Sequence, residues 1–215
     1  MKVKWLGHAS FLITSEAGTK IITDPYNVGS GLSYGEIREA ADIVTVSHEH
    51  GDHNNVAAVK GSPQVVKGAG AKEAKGIKFK GISTYHDEAQ GGQRGPNTVF
   101  CFEVDGLKVC HLGDLGHALS DKDVAEVGKV DILLVPVGGF FTIDARVATA
   151  VSGKLAPKVI IPMHFKNDKL AYPIAAVDDF IKGKSGVTQP NASEVEFKRG
   201  KLPAATQIVV LKPAL

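Results

Sequence analysis

Short strand-like runs dominate the pattern of apolar and polar positions, some alternating with a period of two and others, such as the β-branched stretch before Ser47, continuously apolar as in a buried strand. Runs of this kind recur at Val3–Trp5, Ser10–Thr14, Lys20–Thr23, Asp42–Ser47, Gln64–Val66, Ile77–Lys80, Ile82–Tyr85, Thr98–Val104, Leu107–Leu112, Ile132–Val137, Val159–Pro162, Glu194–Lys198 and Gln207–Leu211. Few stretches carry helical signals. Asn54 and Asn55 read as a cap before Val56–Val59, Ser120 caps a helix through Val124–Val127, Thr142 caps Ile143–Leu155, and Pro173 can open Ile174–Ile181. Hairpins dominate the early half, whereas the later half alternates strands with helices. The pattern predicts an α/β fold with two facing sheets and helices outside them.

Composition changes this picture little. At 215 residues, with 43% hydrophobic and 22% charged positions, the chain can bury a full core as one domain, residues 1–215. A formal charge of +2 selects no partner class and leaves nucleic acid open without arguing for it. No segment has signal-peptide or membrane-span character, so a cytoplasmic protein is expected, without a membrane partner. Two cysteines are too few for a disulfide framework. The hairpin signal Val104-Asp105-Gly106-Leu107 would set Cys101 opposite Cys110, with both thiols expected to stay reduced.

The candidate chemistry lies at strand ends. Residues 48–53 read His48-Glu49-His50-Gly51-Asp52-His53 directly after the buried strand that ends at Ser47, the place where open α/β sheets put their sites. His48 and His50, two residues apart, can point the same way and grip one ion, whereas the adjacent Asp52 and His53 diverge and suit a second. Imidazole and carboxylate without thiolate suit zinc, manganese, iron or nickel. His86, Asp114 and His164 each follow another strand. His8 follows Gly7 at the end of the first strand, and His111 sits inside an apolar strand, which marks it as a supporting rather than a ligating residue.

These residues, in the order His48-x-His50-x-Asp52-His53, His86, Gly113-Asp114, His164, strongly resemble the metallo-β-lactamase superfamily. Trp5-Leu6-Gly7-His8-Ala9-Ser10-Phe11, Thr23-Asp24-Pro25, His111-Leu112-Gly113-Asp114-Leu115-Gly116-His117 and Ile161-Pro162-Met163-His164 further resemble its metal-dependent hydrolase branch, which includes the ascorbate-phosphate lactonases. The resemblance implies an αββα four-layer sandwich with a metal cleft at one edge, holding two divalent ions. It places His48, His50 and His86 on one ion, Asp52, His53 and His164 on the other, and Asp114 between them. Asp24 would orient a ligand imidazole. Zinc is the family's usual metal; in this branch the first strand turns toward the cleft, and a ligating His8 would favour nickel, manganese or iron.

A water bridging two such ions would lose a proton near neutral pH and attack phosphorus or a carbonyl carbon. Asp52 can take that proton, His117 can protonate a leaving group, and Arg94 with Asn97, in the glycine-containing loop 91–97, can bind an anionic substrate. The expected activity is hydrolysis of phosphodiesters, either small molecules or nucleic acid. The alternative is a lactonase acting on a phosphorylated or acidic sugar; readings from another class are a diiron redox protein or a non-catalytic metal-binding protein.

Overall fold

In the first strand Val3 and Trp5 point one way and Lys4 and Leu6 the other, and each set finds a different environment. The computed structural model describes residues 1–215 and resolves strands β1 (Lys2–Gly7), β2 (Ser10–Thr14), β3 (Lys20–Thr23), β4 (Ile43–Val46), β5 (Gln64–Lys67), β6 (Gly70–Ala74), β7 (Ile77–Tyr85), β8 (Pro96–Val104) and β9 (Leu107–His111). Helix α1 (Asp121–Val127), β10 (Ile132–Pro136), α2 (Ala145–Leu155), β11 (Val159–Met163), α3 (Val177–Ile181), β12 (Val187–Thr188), β13 (Glu194–Glu196) and β14 (Gln207–Val209) complete the chain. Six strands form one mixed sheet in the order β13-β1-β2-β3-β4-β5, and eight form a second in the order β12-β14-β11-β10-β9-β8-β7-β6.

The period of two assigns each side chain of the first sheet to a layer. Val3, Trp5, Phe11, Ile13, Ile21 and Ile43 join the large core shared with the second sheet. Leu6, Ile22, Val44 and Val46 face outward into a smaller core. That outer core is closed by irregular chain carrying Tyr26, Leu32, Tyr34 and Ile37, so the covering layer on this side is coil rather than helix. The fully buried residues of β10 and β11 reflect a sheet centre covered on both faces.

Several local expectations shift for identifiable reasons. The helix expected after Asn55 is only a 3-10 turn, Val56–Ala58, because the Asn55 amide donates to the Tyr26 carbonyl and Asn54 binds Glu49 instead of capping. Asp144, not Thr142, caps α2, accepting from the Val147 N–H at 2.7 Å. The third helix starts at Val177 because Ala175 is held extended, donating to the Gly138 carbonyl and accepting from the Lys166 N–H, both at 2.8 Å. Strand β7 runs unbroken through Gly81, where a Cβ would lie 2.3 Å from the Gly68 carbonyl oxygen. Strand β6 went unread because Gly70-Ala71-Lys72-Glu73-Ala74 has no β-branched residue.

At Ser120 the expected cap is a reciprocal box with Asp123. Asp105 and Gly106, both at positive φ, make the tight β8–β9 turn, and the register sets Cys101 opposite Cys110 with their sulfurs 3.6 Å apart as free thiols. No helix is long and apolar enough to cross a membrane.

Candidate metal centre

Six strands deliver the polar cluster from their carboxyl ends: β1 leads to His8, β3 to Asp24, β4 to residues 47–53, β7 to His86, β9 to Asp114 and β11 to His164. Backbone strain marks three of these exits, since His8, Asp24 and His164 all take positive φ. Two glycines make the close approach feasible. A Cβ on Gly7 would lie 2.6 Å from the Tyr34 ring, and one on Gly113 would lie 2.4 Å from Asn97 Oδ1. The His8 carbonyl accepts from the Trp5 indole at 3.0 Å and from the His164 N–H at 3.2 Å, locking two of the imidazole-bearing loops together.

Asp114 is the hub. Its Oδ2 lies 3.1 Å from His53 Nε2, 3.2 Å from His86 Nε2, 3.3 Å from His164 Nε2 and 4.0 Å from His48 Nε2. Around it the ring nitrogens fall into two groups that could each hold a cation: His8, His53 and His164, all buried, and His48, His50 and His86, of which His50 is exposed. Asp52 Oδ2 faces His8 Nε2 at 3.2 Å and accepts from the Tyr172 hydroxyl at 3.4 Å.

Asp24 orients the imidazoles on one side. It accepts from the Ser47 N–H at 2.8 Å and the Ser47 hydroxyl at 2.5 Å, and His53 Nδ1 lies 3.1 Å from its Oδ2. Because the Ser47 proton goes to Asp24, His48 Nδ1, 2.9 Å from Ser47 Oγ, acts as the donor there. Both His48 and His53 thus turn Nε2 toward the cleft, as carboxylate-oriented metal ligands do.

The electrostatics match a cation-binding site. Burial alone would raise the Asp114 carboxyl, but the His164 and His53 imidazoles hold it well below the usual range. Burial opposes protonation of His53, yet Asp114, Asp24 and Asp52 raise it well above 6.5. Burial brings His8 down to about 4, with His164 adding to the effect, and brings His48 to about 3, with His53 adding. Three carboxylates in so little space call for positive charge, and neutral imidazoles offer lone pairs to it.

Other candidates land elsewhere. His111 is buried, donating from Nε2 to the Ala9 carbonyl at 2.9 Å and accepting the Gly113 N–H at Nδ1, so it ties the His8 loop to the Asp114 loop. Asn97 is buried and its side chain is fully engaged within the fold. Its amide donates to Thr84 Oγ1 and the Leu112 carbonyl, and its Oδ1 accepts from the Asp114 N–H at 3.0 Å, so it positions Asp114. Both His117 nitrogens are engaged by backbone: Nδ1 donates to the Ala118 carbonyl and Nε2 accepts from the Tyr85 N–H. Arg94 lies beside the cleft, lining one cavity with His48 and His50 and another with His86.

Sequence reasoning missed Ser47, Asp87 and Tyr172. Asp87 accepts four backbone N–H groups, from Ala89, Gly91, Gln93 and Arg94, which overcome burial and bring its carboxyl down to about 2. It thereby shapes the loop that presents Arg94. An acidic residue beside His86 and ahead of a glycine-rich loop was its available signal; Tyr172, far along the chain from Asp52, had none.

Comparison with known proteins bears on this geometry directly. The β-lactamase superfamily domain matches residues 2–164. A UPF0173 metal-dependent hydrolase of Pelotomaculum thermopropionicum is 30% identical, the match covering 92% of this chain and 96% of the relative. The chain belongs to the metallo-β-lactamase superfamily, among its UPF0173 metal-dependent hydrolases. A Thermotoga maritima structure, assigned as a Zn-dependent hydrolase of that superfamily, shares 40% identity and a TM-score of 0.81 over 98% of this chain and 97% of its own. Human tRNase Z, short form, shares the fold at 13% identity, with a TM-score of 0.56 over 78% of this chain and 93% of its own. This UPF0173 chain is thus a metal-dependent hydrolase by descent, with a buried His/Asp metal site to match.

Proposed function

We propose that this hydrolase cleaves phosphodiesters in small anionic substrates with two divalent cations, one against His48, His50 and His86 and the other against His8, His53 and His164, with Asp114 between them. The observation that carries the reading is the pair of imidazole triads flanking one buried carboxylate. The donors fit such a load: Nε2 of His48, Nε2 of His53 and Oδ1 of Asp114 are buried without hydrogen-bond partners. A nitrogen-rich, thiolate-free set suits zinc, and the nitrogen added by His8 favours nickel, manganese or iron.

Divalent cations there would supply Lewis acidity, acidifying water and neutralising charge on a phosphoryl group. The protein's own groups do the rest. Asp52, its side chain 23% exposed and its carboxyl held below the usual range by His8 and His53 against the effect of burial, is placed to accept the proton of an attacking water. Tyr172 donates to that carboxylate and keeps it oriented. Arg94, whose guanidinium makes no ion pair or hydrogen bond within the chain, is free to hold an anionic oxygen.

The test is a panel of chromogenic phosphodiester, phosphomonoester, lactone and β-lactam substrates, assayed before chelation, after it, and after restoring zinc, manganese, nickel or iron. Bis-aryl phosphodiesters should turn over fastest, and only with metal restored. Turnover of lactones or β-lactams with no phosphodiesterase activity would reassign the substrate. Full activity in rigorously metal-free protein would overturn the mechanism.

A further inference from the structure

Phe140 is the most exposed large apolar side chain of the molecule, at 63%, and it takes a φ of +62° that phenylalanine adopts only under constraint. The constraint comes from the metal centre's own loops. The Gly138 N–H donates to the His164 carbonyl at 3.1 Å, and the Ile143 N–H donates to the Leu115 carbonyl, beside Asp114, at 2.9 Å. Between these anchors the Phe141 N–H turns back onto the Gly139 carbonyl at 2.7 Å. The turn is thus fastened at both ends to the loops that carry His164 and Asp114, and it holds an aromatic ring in solvent beside them.

The ring is not isolated. Phe140 meets Phe141 edge-on at 4.7 Å between centroids, Phe141 meets Tyr172 at 5.4 Å, and Tyr172 meets His8 at 6.0 Å. An aromatic ledge therefore runs outward from the Asp52 and His8 side of the cleft. Arg94 lies over the Phe141 ring at 5.6 Å. Phe140, Phe141, Arg94, Arg146 and His86 line one cavity of about 330 Å³. Neither arginine forms an ion pair, although three acidic side chains line the same cavity: Asp87 is committed to four backbone N–H groups, Asp144 to capping α2, and Glu88 pairs with neither guanidinium.

We infer that this cavity is a specificity subsite for the aromatic end of an anionic substrate, with the flat group resting on Phe140 and an anionic oxygen held by Arg94. The inference rests on the hydrolase reading and extends it by naming what lies beyond the scissile bond: an aryl or nucleobase-like group. A ring exposed to water gains by stacking on a flat ligand group. A strained turn fixed to the metal-centre loops presents that ring at little further ordering cost. The unpaired guanidinium supplies charge that a neutral aromatic ligand would not use.

The experiment is calorimetric binding of two unreactive anions, phenylphosphonate and methylphosphonate, to the metal-loaded protein and to Phe140→Ala and Arg94→Gln, with thermal melts confirming that all three are folded. The native protein should bind phenylphosphonate about tenfold more tightly, Phe140→Ala should remove that preference, and Arg94→Gln should weaken both anions about tenfold. Absence of an aryl preference in the native protein, or its survival in Phe140→Ala, would overturn the subsite. Binding requires no turnover, so a preference that vanishes with Phe140 in a protein that hydrolyses no phosphodiester supports the subsite and counts against the phosphodiesterase reading alone.

Discussion

His48, His50 and His86 on one side of Asp114, and His8, His53 and His164 on the other, offer the same number of imidazoles but are built in opposite ways. Two members of the first group come from one six-residue run, and His50 is exposed. The second group is gathered from three distant stretches, is wholly buried, and has its backbone locked through the His8 carbonyl. The first, open group reaches the surface through His50 and shares a cavity with Arg94, whereas the three imidazoles of the second, closed group are sealed from it. On the proposed reading, the accessible group is the side that substrate and water reach.

The largest test removes what the two groups share. Asp114→Asn leaves four imidazoles without their common carboxylate, and we expect metal content to fall at both positions and activity to fall at least about 100-fold, read by elemental analysis and phosphodiester kinetics. Loss at only one position would make Asp114 a terminal ligand of that group. The next test separates the groups. During slow chelation the first equivalent of metal should leave from the open group, and His50→Ala should bind one equivalent rather than two. Equal release of both would erase the distinction drawn from burial.

A narrower test concerns His8, which adds a nitrogen only on the closed side. His8→Ala, grown in mixed metals, should keep the open site and lose affinity at the closed one by about tenfold, with a shift away from nickel toward zinc. Identical metals in identical geometry would leave His8 a purely structural residue.

The smallest effect is on the stability of the metal-free chain. His48 and His8 have folded values of about 3 and about 4 against 6.5 when free, and His50 is lowered too. The folded chain then binds fewer protons, so this stability is present above pH 6.5 and is lost as pH falls toward about 3 to 4. His53, raised, contributes in the opposite sense: its stability is present below 6.5 and lost as pH rises through its folded value. With four lowered imidazoles, buried His111 included, against one raised, denaturant melts in chelator should weaken from pH 7 to pH 5, and His48→Gln should reduce that dependence. A flat profile in the native chain would mean the imidazoles are solvated.

What could be read from the amino acids alone follows the range of the interactions involved. Residues 48–53 announced a metal because their donors are adjacent in the chain, and the strands announced themselves because burial of one face imposes a period of two. The Ser120 cap and the Asp105-Gly106 turn are equally local, and both formed where their side chains and φ preferences placed them. The partners of Asn97 and His117 were not legible because they depend on which groups come within reach: Asn97 spends its amide on Thr84, Leu112 and Asp114, and His117 spends both nitrogens on Tyr85 and Ala118.

Tertiary structure alone brought Tyr172 to Asp52, set Ser47 between Asp24 and His48, and strained Phe140 into the open beside Arg94. It also decided that coil, not helix, covers the outer face of the first sheet. Donor type and face periodicity are properties of neighbouring residues, legible in one dimension. The partner of a hydrogen bond and the closing of a cavity depend on segments far apart in the chain, whose approach is set by packing of the whole core.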